Sequence, residues 1–123
     1  MDTSPQKVSD DVRSLIAYLQ KGLIGHQVLT ERLLIALLTG GHLLVEGAPG
    51  LAKTRSVMRL SDAVEGTFAR IQCTPDLMPS DLTGTQVFRP QDGQFEFVEG
   101  PVFHNLILVD EINRAPPKVQ SAL

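Results

Sequence analysis

The chain has 123 residues, of which 42% are hydrophobic and 20% charged, and its net charge is −3. This composition is typical of one ordinary globular domain, and the slightly acidic balance gives no electrostatic basis for binding nucleic acid or an anionic membrane. The lone Cys73 excludes an internal disulfide and favours a reducing compartment, and no apolar run approaches the ~20 residues of a membrane span. We therefore expect a cytoplasmic protein without a membrane span.

Two helices are predicted in the first third of the chain. Apolar residues between 5 and 20 recur on one helical face, and Ser4 and Pro5 suit the cap and the first helical position. A second helix is predicted over about 27–39, where the continuous apolar run 33–38 predicts burial on more than one side.

A glycine-rich stretch then lies between a predicted strand, His42 to Glu46, and a predicted helix from Lys53 to about Val64. Strand, glycine-rich turn and helix are the context of a phosphate-binding loop, in which backbone N–H groups approach a polyphosphate. Lys53 would bring its charge to the β- and γ-phosphates, and Thr54 would offer its hydroxyl to Mg²⁺. The candidate nucleotide-binding residues here are Gly47, Ala48, Pro49, Gly50, Leu51, Ala52, Lys53 and Thr54.

One position in this stretch departs from the general phosphate-loop pattern, because Ala52 stands where the pattern has glycine. Alanine is the smallest substitute and costs little if the backbone there is right-handed. The alternative interpretation is a plain glycine turn that joins a strand to a helix, with Lys53 and Thr54 solvated.

The second half of the chain is predicted to alternate strands with loops. A strand is expected over 67–72, a loop with at most a short helix over 74–83, and a last apolar strand over 106–109, with a helix beginning near 115–117. The β-rich runs that flank Asp92-Gly93 predict a hairpin, with strands at 85–90 and 94–99.

The returning strand of this hairpin carries Phe95 and Phe97 on one face. Because two large apolar rings share that face, we expect both to be sheltered by the fold or by a neighbouring subunit.

Asp110 and Glu111 follow the last predicted strand directly. In an open α/β sheet, ligands bind beyond the carboxyl ends of the strands. If strands 42–46 and 106–109 are neighbours, Asp110 faces Thr54 across Mg²⁺, and Glu111 can orient and deprotonate an attacking water. The alternative is a solvated acidic turn, which the pair alone would not exclude. Together with the phosphate loop, the pair predicts ATP hydrolysis with Lys53 and Glu111 as catalytic residues and Thr54 and Asp110 on the metal.

Several stretches resemble the MoxR family of AAA+ ATPases, including the alanine before Lys53 in the Walker A region. The matching segments cover nearly all of residues 22–123 and include Gly40-Gly41-His42 through Thr54, Arg70-Ile71-Gln72, Thr74-Pro75-Asp76-Leu77, Pro79-Ser80-Asp81, Gly100-Pro101-Val102-Phe103 and Asp110 through Lys118. His26 stands where the family usually has glutamine.

The resemblance implies an α/β fold of the P-loop NTPase class, a three-layer αβα parallel sheet of AAA+ type in which the 84–99 hairpin is an insert. It divides the chain into an N-terminal helix, residues 1–22, and the N-terminal part of the ATPase core, residues 23–123. Ile24 and Gly25 would lie against adenine, Asp110 would be the Walker B magnesium residue and Glu111 the catalytic base.

The resemblance also implies that ATP and Mg²⁺ are used by a ring oligomer, a hexamer, for chaperone-like remodelling or metal or cofactor loading of partner complexes, beside proteins with von Willebrand factor A domains. The sensor residues and the arginine finger would lie beyond Leu123, so we expect an incomplete core that hydrolyses ATP poorly by itself.

Other functions are compatible with parts of this pattern. A magnesium-chelatase-like AAA+ subunit and a nucleotide-binding interaction module without hydrolysis remain alternatives. A kinase or GTPase is disfavoured, because the chain has no Asn-Lys-x-Asp guanine motif and the adjacent Asp110 and Glu111 favour hydrolysis.

Overall fold

The computed structural model describes residues 2–21, 27–47 and 51–123, with side chains throughout except at residues 51 and 52. The chain forms two compact units, Met1–Glu65 and Gly66–Leu123. In the described ranges, no helix is long and apolar enough to cross a membrane.

The elements alternate between helices and strands along the second unit, whereas the described part of the first unit is helical. The helices are α1 (Pro5–Gln20), α2 (Gln27–Thr39), α3 (Leu51–Ala63), α4 (Pro79–Thr83) and α5 (Pro117–Ala122), and the strands are β1 (Phe68–Gln72), β2 (Gly84–Arg89), β3 (Gln94–Glu99) and β4 (Leu106–Asp110). These bounds confirm the predicted helices 5–20 and 27–39, the strands at 67–72 and 106–109, and the hairpin.

The first unit is held together where α1, α2 and α3 pack against one another. Leu19, Leu34 and Leu60, one from each helix, are buried at its centre. Arg59 of α3 fixes α1 from the side, because its Nη2 donates to the carbonyl oxygen of Tyr18 at 2.8 Å and its guanidinium lies 4.7 Å from the centroid of the Tyr18 ring. At the start of α1, the Ser4 hydroxyl accepts from the Lys7 N–H, as the predicted cap requires.

Two predictions for this unit are wrong. Residues 42–46 do not form a strand, and Leu44 in this segment is 71% exposed. A strand needs a hydrogen-bonding partner, and the described part of the first unit contains no other strand that could supply one. The apolar α2 is also not buried on several sides, since Val28 and Leu38 are 68% and 67% exposed while Leu34 is buried. The two other helices, α1 and α3, shelter one face of α2 and leave the rest open.

The second unit is organised by β1 and β4, which pair in parallel from Phe68 opposite Leu106 to Gln72 opposite Asp110. Alternate residues of this pair face a core, whose members are Ile71, Cys73, Leu82, Ala115 and Val119, with Leu77, Val102, Ile107 and Val109 against it. The helices α4 and α5 supply Leu82 and Val119, so one face of the strand pair is covered by helices. The prediction of an α/β fold with a parallel sheet is therefore confirmed.

Hydrogen bonds between Thr67 and Asn105 align the start of the two parallel strands. Asn105 Oδ1 accepts from both the backbone N–H and the hydroxyl of Thr67, each at 2.9 Å, and the Asn105 N–H donates to the Thr67 hydroxyl at 3.1 Å. At the other end, the Cys73 N–H donates to the Asp110 carbonyl oxygen at 3.0 Å. The register that places Asp110 beside Gln72 is thus fixed at both ends.

The hairpin of β2 and β3 pairs antiparallel from Gly84 opposite Glu99 to Arg89 opposite Gln94. At its tip, Gly93 has a φ of +68° and donates its N–H to the Arg89 carbonyl oxygen at 2.9 Å. At its base, a Cβ on Gly84 would collide with the Val98 carbonyl oxygen. The base therefore depends on a residue without a side chain.

The aromatic residues of the hairpin are not sheltered within this chain. Phe95 and Phe97 are 69% and 51% exposed, although Phe95 lies 5.3 Å from Phe88 and Phe97 lies 6.2 Å from Phe103 between ring centroids. A two-stranded hairpin has no second layer, so in the described part of the chain each ring has a single aromatic neighbour, which is Phe88 on the hairpin for Phe95 and Phe103 after it for Phe97. The expectation of shelter within the fold is wrong, and shelter by a neighbouring subunit stays a prediction.

The buried Leu82 offers a test of the second core. We expect Leu82→Ala to lower the free energy of unfolding by about 2–5 kcal/mol, because it removes a fully buried side chain and leaves a cavity. Val87→Ala is the control, since Val87 is 45% exposed on the hairpin and should change stability by no more than about 0.5 kcal/mol. Urea unfolding of the three proteins measures both effects, and equal losses would contradict the assignment of the core.

Cys73 predicts a dependence of stability on alkaline pH. Its pKa is raised above the ordinary 9.0 by burial and, secondarily, by the negative charges of Asp110 and Glu111. Because the folded state keeps the thiol protonated, this stabilisation is complete below the unfolded pKa and is lost as pH rises through the folded pKa. The urea midpoint should therefore fall more steeply above pH 9.0 for the unmodified protein than for Cys73→Ala. Parallel pH curves for the two proteins would refute the prediction.

Candidate functional site

The first group of predicted site residues lies at the start of α3. Lys53 and Thr54 are in the first turn of this 13-residue helix, and both side chains are half-buried. The first turn of a helix has unpaired backbone N–H groups and the positive end of the helix dipole, which together favour an anion. Gly47, just before the loop, has a φ of +139°, a conformation that L side chains rarely adopt. The local backbone thus suits a phosphate group at the beginning of α3.

The ammonium group of Lys53 is available to such an anion. Among the residues that the structure describes, no carboxylate lies within ion-pair distance of Lys53. The three ion pairs in this part of the chain are Arg70 with Asp110, Arg89 with Glu96, and Arg114 with Glu111. An uncompensated cation beside a helix start is the charge arrangement that a polyphosphate needs.

Several predicted site residues lie outside the described part of the chain. Ile24 and Gly25, predicted against adenine, and Ala48, Pro49 and Gly50 of the loop are among them, as are the side chains of Leu51 and Ala52. Their roles stay predictions.

The second group lies at the carboxyl end of β4. Asp110 is the last residue of this strand, and its side chain is 30% exposed. Its Oδ2 accepts from Arg70 Nη2 at 2.6 Å, and the same nitrogen lies 3.4 Å from Gln72 Oε1. Arg70 and Gln72 alternate with the buried Ile71 along β1, so this group occupies the face of the strand pair opposite the core.

Glu111 follows Asp110 in the left-handed conformation, with φ 55° and ψ 49°. Such a conformation is uncommon for a residue with a side chain and costs on the order of 1–3 kcal/mol. It turns the chain sharply out of β4, and the exposed Glu111 carboxylate accepts from Arg114 Nη1 at 3.0 Å through Oε2. The two acidic residues therefore have different partners, since Asp110, 30% exposed, pairs with Arg70 on the strand pair and Glu111, 39% exposed, pairs with Arg114 beyond it.

The donor set fits Mg²⁺ better than a metal held entirely by protein. No group of three or more His, Cys, Asp or Glu side chains that could hold a metal occurs in the ranges the structure describes. Mg²⁺ is usually bound by one or two carboxylates together with substrate phosphates and water. Asp110 supplies one partly exposed carboxylate that already faces a cation, the Arg70 guanidinium. Thr54 and Asp110 belong to different units, and their meeting across a metal ion stays a prediction.

Sequence reasoning missed the two arginines that hold the acidic residues. Arg114 could have been found, because it lies only three residues after Glu111. Arg70 could not be paired with Asp110, 40 residues away, without knowing that β1 and β4 are neighbours. The sequence did show that Arg70, a charged residue, lies in the middle of a predicted strand, which indicates that it has a partner.

The chain is similar to known ATPases and chaperones. Residues 42–123 match the ATPase family associated with various cellular activities (AAA). Chaperone MoxR1 of Mycobacterium tuberculosis is 52% identical over 101 residues, covering 82% of this chain and 27% of that protein. YeaC of Bacillus subtilis, an uncharacterised protein, is 42% identical over 108 residues, covering 88% of this chain and 34% of that protein.

A solved structure has the same fold. The crystal structure of a protein from Cytophaga hutchinsonii proposed to be an ATPase superposes with a TM-score of 0.81 at 50% identity, covering 92% of this chain and 34% of that one. The chain thus spans 27–34% of the length of these three proteins. Since the family match extends over residues 42–123 and the relatives include a MoxR chaperone, the chain belongs to the MoxR branch of the AAA ATPase family.

Proposed function

We propose that this chain carries the nucleotide-binding part of a Mg²⁺-dependent ATP hydrolase. The observation that carries the proposal is the end of β4, where a partly exposed Asp110 against a cation is followed by an exposed Glu111. Lys53 at the start of α3, which has no carboxylate partner among the described residues, supports it, because a polyphosphate needs a charge partner at a helix start.

In this proposal each residue has a separate task. Lys53 binds the β- and γ-phosphates, and the Thr54 hydroxyl and the Asp110 carboxylate hold the metal. Glu111 accepts a proton from the attacking water through its open carboxylate. Mg²⁺, when bound, neutralises the charge that develops on the phosphate oxygens. The loop residues Gly47 to Ala52, except Pro49, which has no N–H, bring backbone N–H groups to the phosphates, and Ile24 and Gly25 contact adenine.

The whole protein is proposed to use this hydrolysis for chaperone-like remodelling of partner complexes. The name of the Mycobacterium tuberculosis relative, a chaperone, supports this class of function. A homo-oligomeric ring, a hexamer, would also cover the exposed rings of Phe95 and Phe97, which this chain leaves open. Loading of a metal or cofactor and a partner with a von Willebrand factor A domain belong to the same proposal.

The phosphate contact of Lys53 can be tested by its removal. In the full-length protein, Lys53→Ala should weaken binding of ATP·Mg²⁺ by about 1.5–3 kcal/mol, the value of a hydrogen bond to a charged group. Lys7→Ala is the control, because Lys7 is an exposed lysine of α1. Isothermal titration calorimetry compares the three proteins. If Lys53→Ala binds as tightly as Lys7→Ala, the phosphate-loop assignment is wrong.

The two acidic residues should differ when each is replaced by its amide. Glu111→Gln in the full-length protein should still bind ATP but lose about 10²–10⁴-fold in turnover, because glutamine cannot accept a proton from water. Asp110→Asn should weaken metal-dependent binding as well as turnover, because it removes a charge beside a divalent ion. Steady-state ATPase rates and ATP affinities measure the two effects.

Glu65→Gln is a matched control for the turnover measurement. Glu65 is an exposed glutamate with the same φ of 55° as Glu111, so its amide tests for any general effect of the substitution in this backbone conformation. A Glu111→Gln enzyme as active as Glu65→Gln would mean that the base lies elsewhere.

A further inference from the structure

We propose that Arg70 is a positioning residue that competes with Mg²⁺ for Asp110 and thereby weakens the response of the site to Mg²⁺. The inference rests on the proposed function, because it assigns a competitor to the carboxylate that would hold the metal. It concerns the contact between Arg70 and Asp110 across β1 and β4.

The backbone places these two side chains together. Arg70 lies opposite Leu108 in the parallel register, and Gln72 lies opposite Asp110, so Arg70 and Asp110 share one face of the strand pair two positions apart. The 2.6 Å contact is within the short range of a charge-assisted hydrogen bond. Since the register is fixed at both ends of the pair, the guanidinium reaches the carboxylate without any rearrangement of the backbone.

The contact has the properties of one that a metal ion can replace. The side chains of Arg70 and Asp110 are 49% and 30% exposed, so the pair is near solvent, where an ion pair changes an equilibrium constant by at most about fivefold. Arginine cannot release the carboxylate by losing its proton, so its guanidinium has to swing away. Gln72 Oε1, 3.4 Å from the same nitrogen, is a second acceptor on the same face. The guanidinium can therefore move off Asp110 while it keeps one partner.

A plain surface ion pair is the competing explanation. In that case Arg70 would help to hold β1 and β4 together and would have no effect on metal binding. The two explanations differ in what removal of the guanidinium does. Removal of a competitor raises the effect of Mg²⁺ on nucleotide binding, whereas removal of a structural pair lowers only stability.

The measurement is the metal enhancement, defined as the affinity for a non-hydrolysable ATP analogue in Mg²⁺ divided by that in EDTA. Calorimetry on the full-length protein gives both affinities. Arg70→Gln, which removes the charge and keeps a polar side chain, should raise the metal enhancement by about 1.4- to 5-fold, the range of an exposed ion pair. Arg70→Lys keeps a cation beside Asp110 and should stay near the unmodified value.

Arg89→Gln is the matched control, because Arg89 forms an ion pair with Glu96 across β2 and β3 and is 52% exposed, close to Arg70. It should leave the metal enhancement unchanged. If Arg70→Gln does not fold, Arg70→Met keeps the aliphatic stem without the charge and carries the same expectation. In an Asp110→Asn background, Arg70→Gln should have no further effect, because the carboxylate for which Arg70 and Mg²⁺ compete is gone.

The outcomes separate this inference from the proposed function. An Arg70→Gln protein whose metal enhancement is unchanged or lower, while the unmodified protein responds to Mg²⁺, overturns the role of Arg70 and leaves the proposed function standing. An unmodified protein that does not bind the analogue, or binds it equally in Mg²⁺ and EDTA, overturns both. A rise in Arg70→Gln that is absent in Arg70→Lys and Arg89→Gln supports the inference.

Discussion

The parallel pairing of β1 with β4 is the constraint on which the second unit depends. It turns Ile71, Ile107 and Val109 toward the helices α4 and α5 and leaves the opposite face to Arg70 and Asp110. The same ladder therefore provides the apolar core and the charged group at its carboxyl end. Hydrogen bonds of Asn105 fix the register at one end, and the N–H of Cys73 continues the pairing at the other. This matters because side chains alternate between faces, so a slip by one residue would exchange the two faces.

Pairing with two arginines offsets the repulsion between the two adjacent carboxylates that follow β4. Asp110 and Glu111 would repel each other, yet each is within hydrogen-bond distance of a separate arginine, Arg70 or Arg114. The left-handed turn at Glu111 directs the second carboxylate away from the sheet. The two adjacent carboxylates thus have separate partners, one on the strand pair and one beyond its end.

Local patterns in the sequence predicted most elements, because their signals lie within a few residues. Apolar periodicity predicted α1, and Asp92-Gly93 predicted the hairpin, both within about one residue. The failures arise from long-range pairing. A strand at 42–46 depends on a partner strand, and the burial of α2 depends on what packs against it, which composition does not reveal. For the site, the motifs predicted Lys53 and the acidic pair as candidates, but the contact of Arg70 with Asp110 required the order of the strands.

The two ends of the hairpin differ in how much change they tolerate. At the base, Cβ atoms on Gly84 and Gly100 would each collide with backbone atoms, whereas a Cβ on Gly93 at the tip would meet nothing within 4 Å. Space therefore limits both positions at the base to glycine, whereas at the tip only the backbone conformation of Gly93, with its φ of +68°, favours glycine. A longer or shorter tip would leave the close contacts at Gly84 and Gly100 untouched, so the same base could carry an arm of different reach.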